Sequence, residues 1–194
     1  MTGVSASYLE LAGLSKAGLA AVFAAGTPPE VPALTGFEYR GFNQPKTAAL
    51  LGIRTFIKAF YLDGSGRPAG CNTPVARNRL DGEWIARPAP DRPRRYAFFA
   101  VEPPDPDASD PERRTAALFD YGRGGNPVYD PSRIISDYVV RVEPGSDDLL
   151  LGKAYFRIAG TRIAHAFFLI ERYRPLTSTD AEALARRGYR QDNA

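Results

Sequence analysis

Hydrophobic and polar positions alternate most clearly in the last third of the chain. From Asp137 to Glu143, Tyr138, Val140 and Val142 fall on one face and Asp137, Arg141 and Glu143 on the other, the signature of a half-buried strand. The turn-forming run Glu143-Pro-Gly-Ser-Asp-Asp148 follows. A second run puts Leu150, Gly152, Ala154, Phe156 and Ile158 on one face, with Lys153 and Arg157 opposite. Gly160-Thr161 turns the chain into Ile163 to Glu171, where both faces are apolar and cover on both sides is expected. Short turns make the three runs antiparallel neighbours.

The same reading extends upstream. A helical segment is predicted over 1–26, with Ser15 as a cap and Gly26 as its end. Strands are predicted over 34–42, 54–62, 71–76, 95–101 and 114–121, with a short helix over 45–51 closed by Gly52. The alternation in 54–62 puts Arg54, Phe56, Lys58 and Phe60 on one face. The Pro- and Arg-rich stretch 67–93 reads as mostly irregular, with Trp84 as a plug on the core, and Glu102 to Pro111 as a charged loop. Thr179 with Glu182 forms a capping box for a last short helix in the tail 173–194. The count is about eight strands without a βαβ unit. It predicts a mainly β, single-domain chain over 1–194: an antiparallel lipocalin-like barrel with an N-terminal helical segment and a short C-terminal helix.

Composition narrows the function classes. The 194 residues suffice for one substantial core, and no apolar run approaches the roughly 20 residues that a spanning helix needs. The N-terminus lacks the pattern of a signal peptide, so a cytoplasmic location is expected. A net charge of +3 with interspersed signs argues against nucleic-acid binding. One cysteine, Cys71, excludes an internal disulfide and a cysteine-based zinc site, and no metal-ligand spacing is present. Oligomeric state is left open.

Two segments carry a family resemblance. Leu34-Thr-Gly-Phe-Glu-Tyr-Arg-Gly41 and the set Ser136–Val142, Leu151-Gly152 and Phe167–Arg172 resemble the GXWXG-type proteins of unassigned function, with Tyr39 standing where that family has Trp. A GxWxG-like opening strand is shared with lipocalin-like and fatty-acid-binding-like barrels, haem-binding nitrobindins among them. The resemblance therefore implies a calycin-like barrel and carries over no activity.

Candidate chemistry gathers in three places. His165, the one histidine, reads first as a satisfied core residue. Its sharper readings are an acid–base group or an axial ligand to haem, the one cofactor considered; no other cofactor is expected. The acid–tyrosine pairs Asp120-Tyr121 and Asp137-Tyr138 offer carboxylates and hydroxyls to hold a polar head group or move a proton. The catalytic candidates are Asp120, Tyr121, Asp137 and His165. The expected ligand-lining set is Tyr39, Phe56, Tyr61, Trp84, Tyr96, Phe98, Tyr138, Arg141, Phe156 and Phe167. Together these favour a barrel that binds a small apolar molecule. It acts either as a cofactor-independent cyclase or isomerase of a polyketide- or terpenoid-like substrate, or as a non-catalytic carrier or sensor. A self-filled barrel serving as an interaction module is the third class.

Overall fold

Among the described residues of the computed structural model ten strands form: β1 (Phe37–Asn43), β2 (Thr55–Leu62), β3 (Pro68–Pro74), β4 (Pro88–Ala89), β5 (Arg92–Pro93), β6 (Tyr96–Glu102), β7 (Ala117–Asp120), β8 (Ile135–Arg141), β9 (Leu149–Ile158) and β10 (Thr161–Pro175). Eight of them close into one antiparallel barrel in the order β1-β10-β9-β8-β7-β6-β3-β2, while β4 and β5 make a separate two-stranded hairpin. Closure leaves the barrel itself without an edge strand. The structure describes residues 3–44, 54–76, 79–80, 82–159 and 161–191, without the side chains of Ala164, His165 and 188–191. The helix predicted over 45–51 lies outside the described residues.

Among the described residues five α-helices accompany the barrel: α1 (Ala6–Gly13), α2 (Lys16–Ala25), α3 (Val31–Leu34), α4 (Pro111–Thr115) and α5 (Ser178–Gln191). The predicted N-terminal helix is in fact two, because the hydroxyls of Ser5 and Ser15 each cap a separate start. The strand expected over 114–121 begins only at Ala117. Asp110 accepts from the Glu112 amide and Pro111 follows it, so the chain before Ala117 takes a helical turn instead. The C-terminal helix starts earlier than expected, since Thr177 rather than Thr179 accepts from the Asp180 amide. Part of the stretch expected to be irregular is ordered as β3, which begins at Pro68.

Period-two alternation separates an inner and an outer layer. Inside, Tyr39, Phe56, Phe60, Phe99, Phe119, Val139, Leu150, Phe168 and Ile170 form one buried cluster, closed at one end by Val31 and Leu34 around α3. Outside, α1 and α2 bring Tyr8, Leu11, Leu19 and Phe23 onto Val140, Leu149, Leu151, Phe167 and Leu169 of β8, β9 and β10. The doubly apolar character of β10 is thus explained: Phe168 and Ile170 fill the barrel while Phe167 and Leu169 receive the helices. On the far side, α5 lays Leu184 over Ala59, Tyr61, Cys71 and Phe98 of β2, β3 and β6.

Three inner glycines set the width of the interior. Gly41 lies opposite Phe56, Gly70 opposite Phe99, and Gly152 opposite Phe168. A Cβ on any of the three would drive into the ring of its partner. Each phenylalanine therefore lies flat across a neighbouring strand, an arrangement known to support glycines within sheets.

Candidate functional site

The three phenylalanines laid down on those glycines surround a lysine. Lys58 sits mid-strand on β2, between the inward-facing Phe56 and Phe60, and is 2% exposed. Its Nζ lies 4.7 Å from the ring centre of Phe99, 5.2 Å from Phe168 and 5.3 Å from Phe56. Aromatic faces carry negative potential and attract a cation, but they do not replace its hydration. Three oxygens complete the shell. Nζ donates to Tyr121 Oη at 2.6 Å, to Asn72 Oδ1 at 3.0 Å and to Asp137 Oδ2 at 3.5 Å.

The partners are bonded to one another. Tyr121 Oη donates to Asp137 Oδ2 at 3.0 Å, bridging amine and carboxylate. Asn72 Nδ2 donates to the carbonyl of Ala97 at 3.1 Å. That carbonyl is within reach because the β3–β6 register shifts between Gly70 and Asn72, where Ala97 adopts a φ of 47°. A non-glycine residue in this region is strained by roughly 1–3 kcal/mol, and such strain concentrates at functional sites. Four elements thus converge: β2 gives the amine, β3 the amide, β8 the carboxylate, and the turn after β7 the phenol.

Burial sets the protonation tendencies. Desolvation holds the Lys58 amine below the ordinary lysine range, with Asp137 acting in the opposite direction. Desolvation, then the charge of Asp137, pushes the Tyr121 phenol well up, so it remains a hydroxyl and a donor. The set therefore holds a buried amine whose proton burial loosens and Asp137 retains, a carboxylate beside it, and a phenol joining the two.

The cluster lies in the half of the barrel away from α3. At that end Tyr96, Ile135 and Ala154 pack, partly exposed, against the inner cluster. Nearby, Ile158 and Ile163 at the β9–β10 hairpin tip are 51% and 50% exposed, and Ile134 is exposed beside them. Among the described residues this end therefore exposes isoleucines, beside Arg157 and Arg162 of the same hairpin.

Of the sequence candidates, the structure brings together Tyr121 and Asp137, with Phe56 in the cage and Tyr39 deeper in the same interior, its hydroxyl bonded to the Asp147 carbonyl. Tyr96 reaches the rim, and the half-buried Phe156 lies opposite Ile135 and Ile163 near the same end. Asp120, one residue from Tyr121, faces the other way. It pairs with Arg157 at 2.6 Å and accepts from the Gly122 amide at 2.8 Å. Five expected lining residues are corrected to the outer layer. Tyr61 and Phe98 lie under α5, Phe167 under α1 and α2, and Trp84 with Ile57 and Val75 outside β2. The fifth, Tyr138, packs on Tyr155 with its hydroxyl on Asp110. Arg141 is held by Asp147 at 2.8 Å near α3, at the opposite end from the lysine. The backbone carries His165 at a bulge where the β9–β10 register shifts, and its side chain is outside the described residues.

Sequence reasoning missed Lys58 and Asn72. One signal was available for the lysine: the alternation of β2 placed it on the same face as Phe56 and Phe60, an unusual neighbour set for a solvated charge. For Asn72 the signal was its presence within a strand at all.

No family model matches the chain, and no curated protein does. The likeness to GXWXG-type proteins accordingly rests on short motifs alone. Among solved structures the chain is similar to the siderocalin Ex-FABP, described as functioning through dual ligand specificities. The identity is 15%, over 82% of this chain and 87% of that one, with a TM-score of 0.35. A likeness of that size carries no argument about function; the closed barrel stands on its own strand pairing. No helix among the described residues is long and apolar enough to cross a membrane.

Proposed function

We propose that the barrel holds a small, largely apolar molecule with a polar head group, oriented by Lys58, Tyr121, Asp137 and Asn72. One observation carries this reading: a lysine with three oxygen partners inside an aromatic cage. A buried ion pair is a poor source of stability, because desolvation offsets most of its attraction. A cluster of titratable groups shifted by burial is, however, what an orienting site in an apolar pocket requires. The isoleucines exposed at that end suit the approach of a ligand that leaves water reluctantly.

Within this reading the chain is a carrier, or a cofactor-independent enzyme of the cyclase or isomerase type. The second option is favoured by the Tyr121 bridge. A hydroxyl joining an amine to a carboxylate can pass a proton to or from a bound substrate without a metal or an organic cofactor. The test is titration of the purified chain with cis-parinaric acid, an apolar carboxylate whose fluorescence rises on burial. Saturable one-to-one binding is expected, weakened tenfold or more in Lys58→Met. Failure of the wild type to enhance parinarate fluorescence, together with no displacement by other apolar acids, refutes the reading.

A further inference from the structure

We infer that Lys58 is a covalent site: its amine condenses with an aldehyde or ketone on an apolar molecule to form an imine inside the barrel. This rests on the binding reading above and names the ligand class of the same site.

The geometry supports each stage. Nζ is at the inner wall, framed by Phe56, Phe99 and Phe168, so an apolar carbonyl compound admitted to the interior would hold its reactive carbon against aromatic faces beside the amine. A nucleophilic lysine must first be neutral, and burial in an apolar site is one established way to reach that state. Here the ammonium passes one proton to Asp137, either directly over 3.5 Å or through the Tyr121 hydroxyl at 2.6 and 3.0 Å. The Nζ lone pair then forms a bond to the carbonyl carbon, and the π electrons move to oxygen. Tyr121 donates its proton to that oxygen and recovers one from the new N–H₂⁺, leaving a neutral carbinolamine. Protonated Asp137 returns its proton to the carbinolamine hydroxyl, which departs as water while nitrogen forms the C=N⁺ bond. One carbonyl oxygen leaves as water. The positive charge of the iminium ends beside the restored Asp137 carboxylate, as the ammonium began. Asn72, fixed by the Ala97 carbonyl, holds Nζ through its Oδ1 at 3.0 Å and so orients the lone pair.

The chain has four lysines, Lys16, Lys46, Lys58 and Lys153, which makes the site easy to map. The full chain is incubated at neutral pH with 6-methoxy-2-naphthaldehyde and sodium cyanoborohydride, which reduces an imine to a stable secondary amine. Intact mass and peptide mapping follow. Expected is one adduct, on Lys58, forming at least tenfold faster than on Lys16 or Lys153 of the same molecules. Tyr121→Phe should slow that adduct while leaving the surface rates unchanged. Because the comparison is internal to the wild type, it holds even where a Lys58 variant fails to fold. Labels spread evenly over the lysines, or absent from Lys58, overturn the inference. Parinarate binding measured on the same preparation separates the two claims. If it persists without a Lys58 adduct, only the covalent step fails; if it is absent as well, the binding reading fails with it.

Discussion

Asp137→Asn isolates the charge on Lys58 with little change of shape. Both side chains are almost wholly out of solvent, at 3% and 4% exposure, and the carboxylate is the anion of the lysine's shell. Removing one partner of a buried pair costs about 3–5 kcal/mol, because the remaining charge is left uncompensated. For a chain of this size each kcal/mol moves the midpoint by roughly 2–4 °C, so a loss on the order of 6–20 °C is expected. The pH dependence supplies the sharper test. Burial already places the folded-state pKa of Lys58 below the ordinary lysine value of 10.5. A base of that kind binds more protons unfolded than folded, so stability rises with pH between the two values. Without Asp137 the folded value falls further, and the rise starts at lower pH. The variant's deficit is therefore full where Lys58 stays charged in both proteins. It shrinks as pH climbs toward the wild type's folded value. Urea unfolding at a series of pH values reads this directly. A deficit under about 0.5 kcal/mol, the scale of ordinary surface changes, that stays flat with pH would refute the reasoning. Replacing both groups, as Lys58→Met with Asp137→Leu, should recover most of the loss, since an apolar pair of similar size is often neutral or stabilising by about 1–4 kcal/mol.

Two further predictions concern the frame. Cys71 is fully buried beneath Leu184 of α5, and burial pushes its thiol up to about 12. A disulfide reagent such as DTNB should therefore react with it only when α5 lifts. Leu184→Ala, which costs up to about 2–5 kcal/mol at a buried site, should speed labelling many-fold; equal rates would show that α5 does not gate the thiol. In Gly152→Ala the new methyl meets the Phe168 ring, which must tilt. A loss of about 1–3 kcal/mol is expected, with weaker parinarate binding because Phe168 is one wall of the lysine cage. An unchanged thermal midpoint would mean that the ring has room to spare.

The existence of β8 and β9, the Ser15 start and the Gly26 end were legible in the sequence, but β8 is not the half-buried strand its alternation predicts: both faces are buried, and Asp137 on its polar face points into the barrel. Inside and outside were not legible on strands covered on both sides. Phe167 and Phe168 are equally apolar, and only the landing of α1 and α2 decides which one faces the lumen. The acid–tyrosine pairs pointed to the right neighbourhood, yet adjacent residues on a strand face opposite ways. Tyr121, in the turn after β7, entered the cluster, while Asp120, also buried, turned to Arg157 and the Gly122 amide instead. Lys58 and Asn72 join the site through pairings across the barrel, which no local pattern records.

Closure by β1 and β10 also dictates a timetable. Phe42 pairs with Leu169 and Gly41 with Ile170, so the seam joins segments far apart in the chain. Until β10 is made, β1 has one bare edge, the lysine cage lacks Phe168, and α1 and α2 have no Phe167 or Leu169 to land on. Contacts of such long range pay their loop-closure entropy before they reward it, which places folding on the millisecond-to-second scale. A nascent chain would carry its first strands unsealed for most of its synthesis. That interval is when edge-to-edge association with other chains competes with folding, and it ends only when the last strand locks the ring.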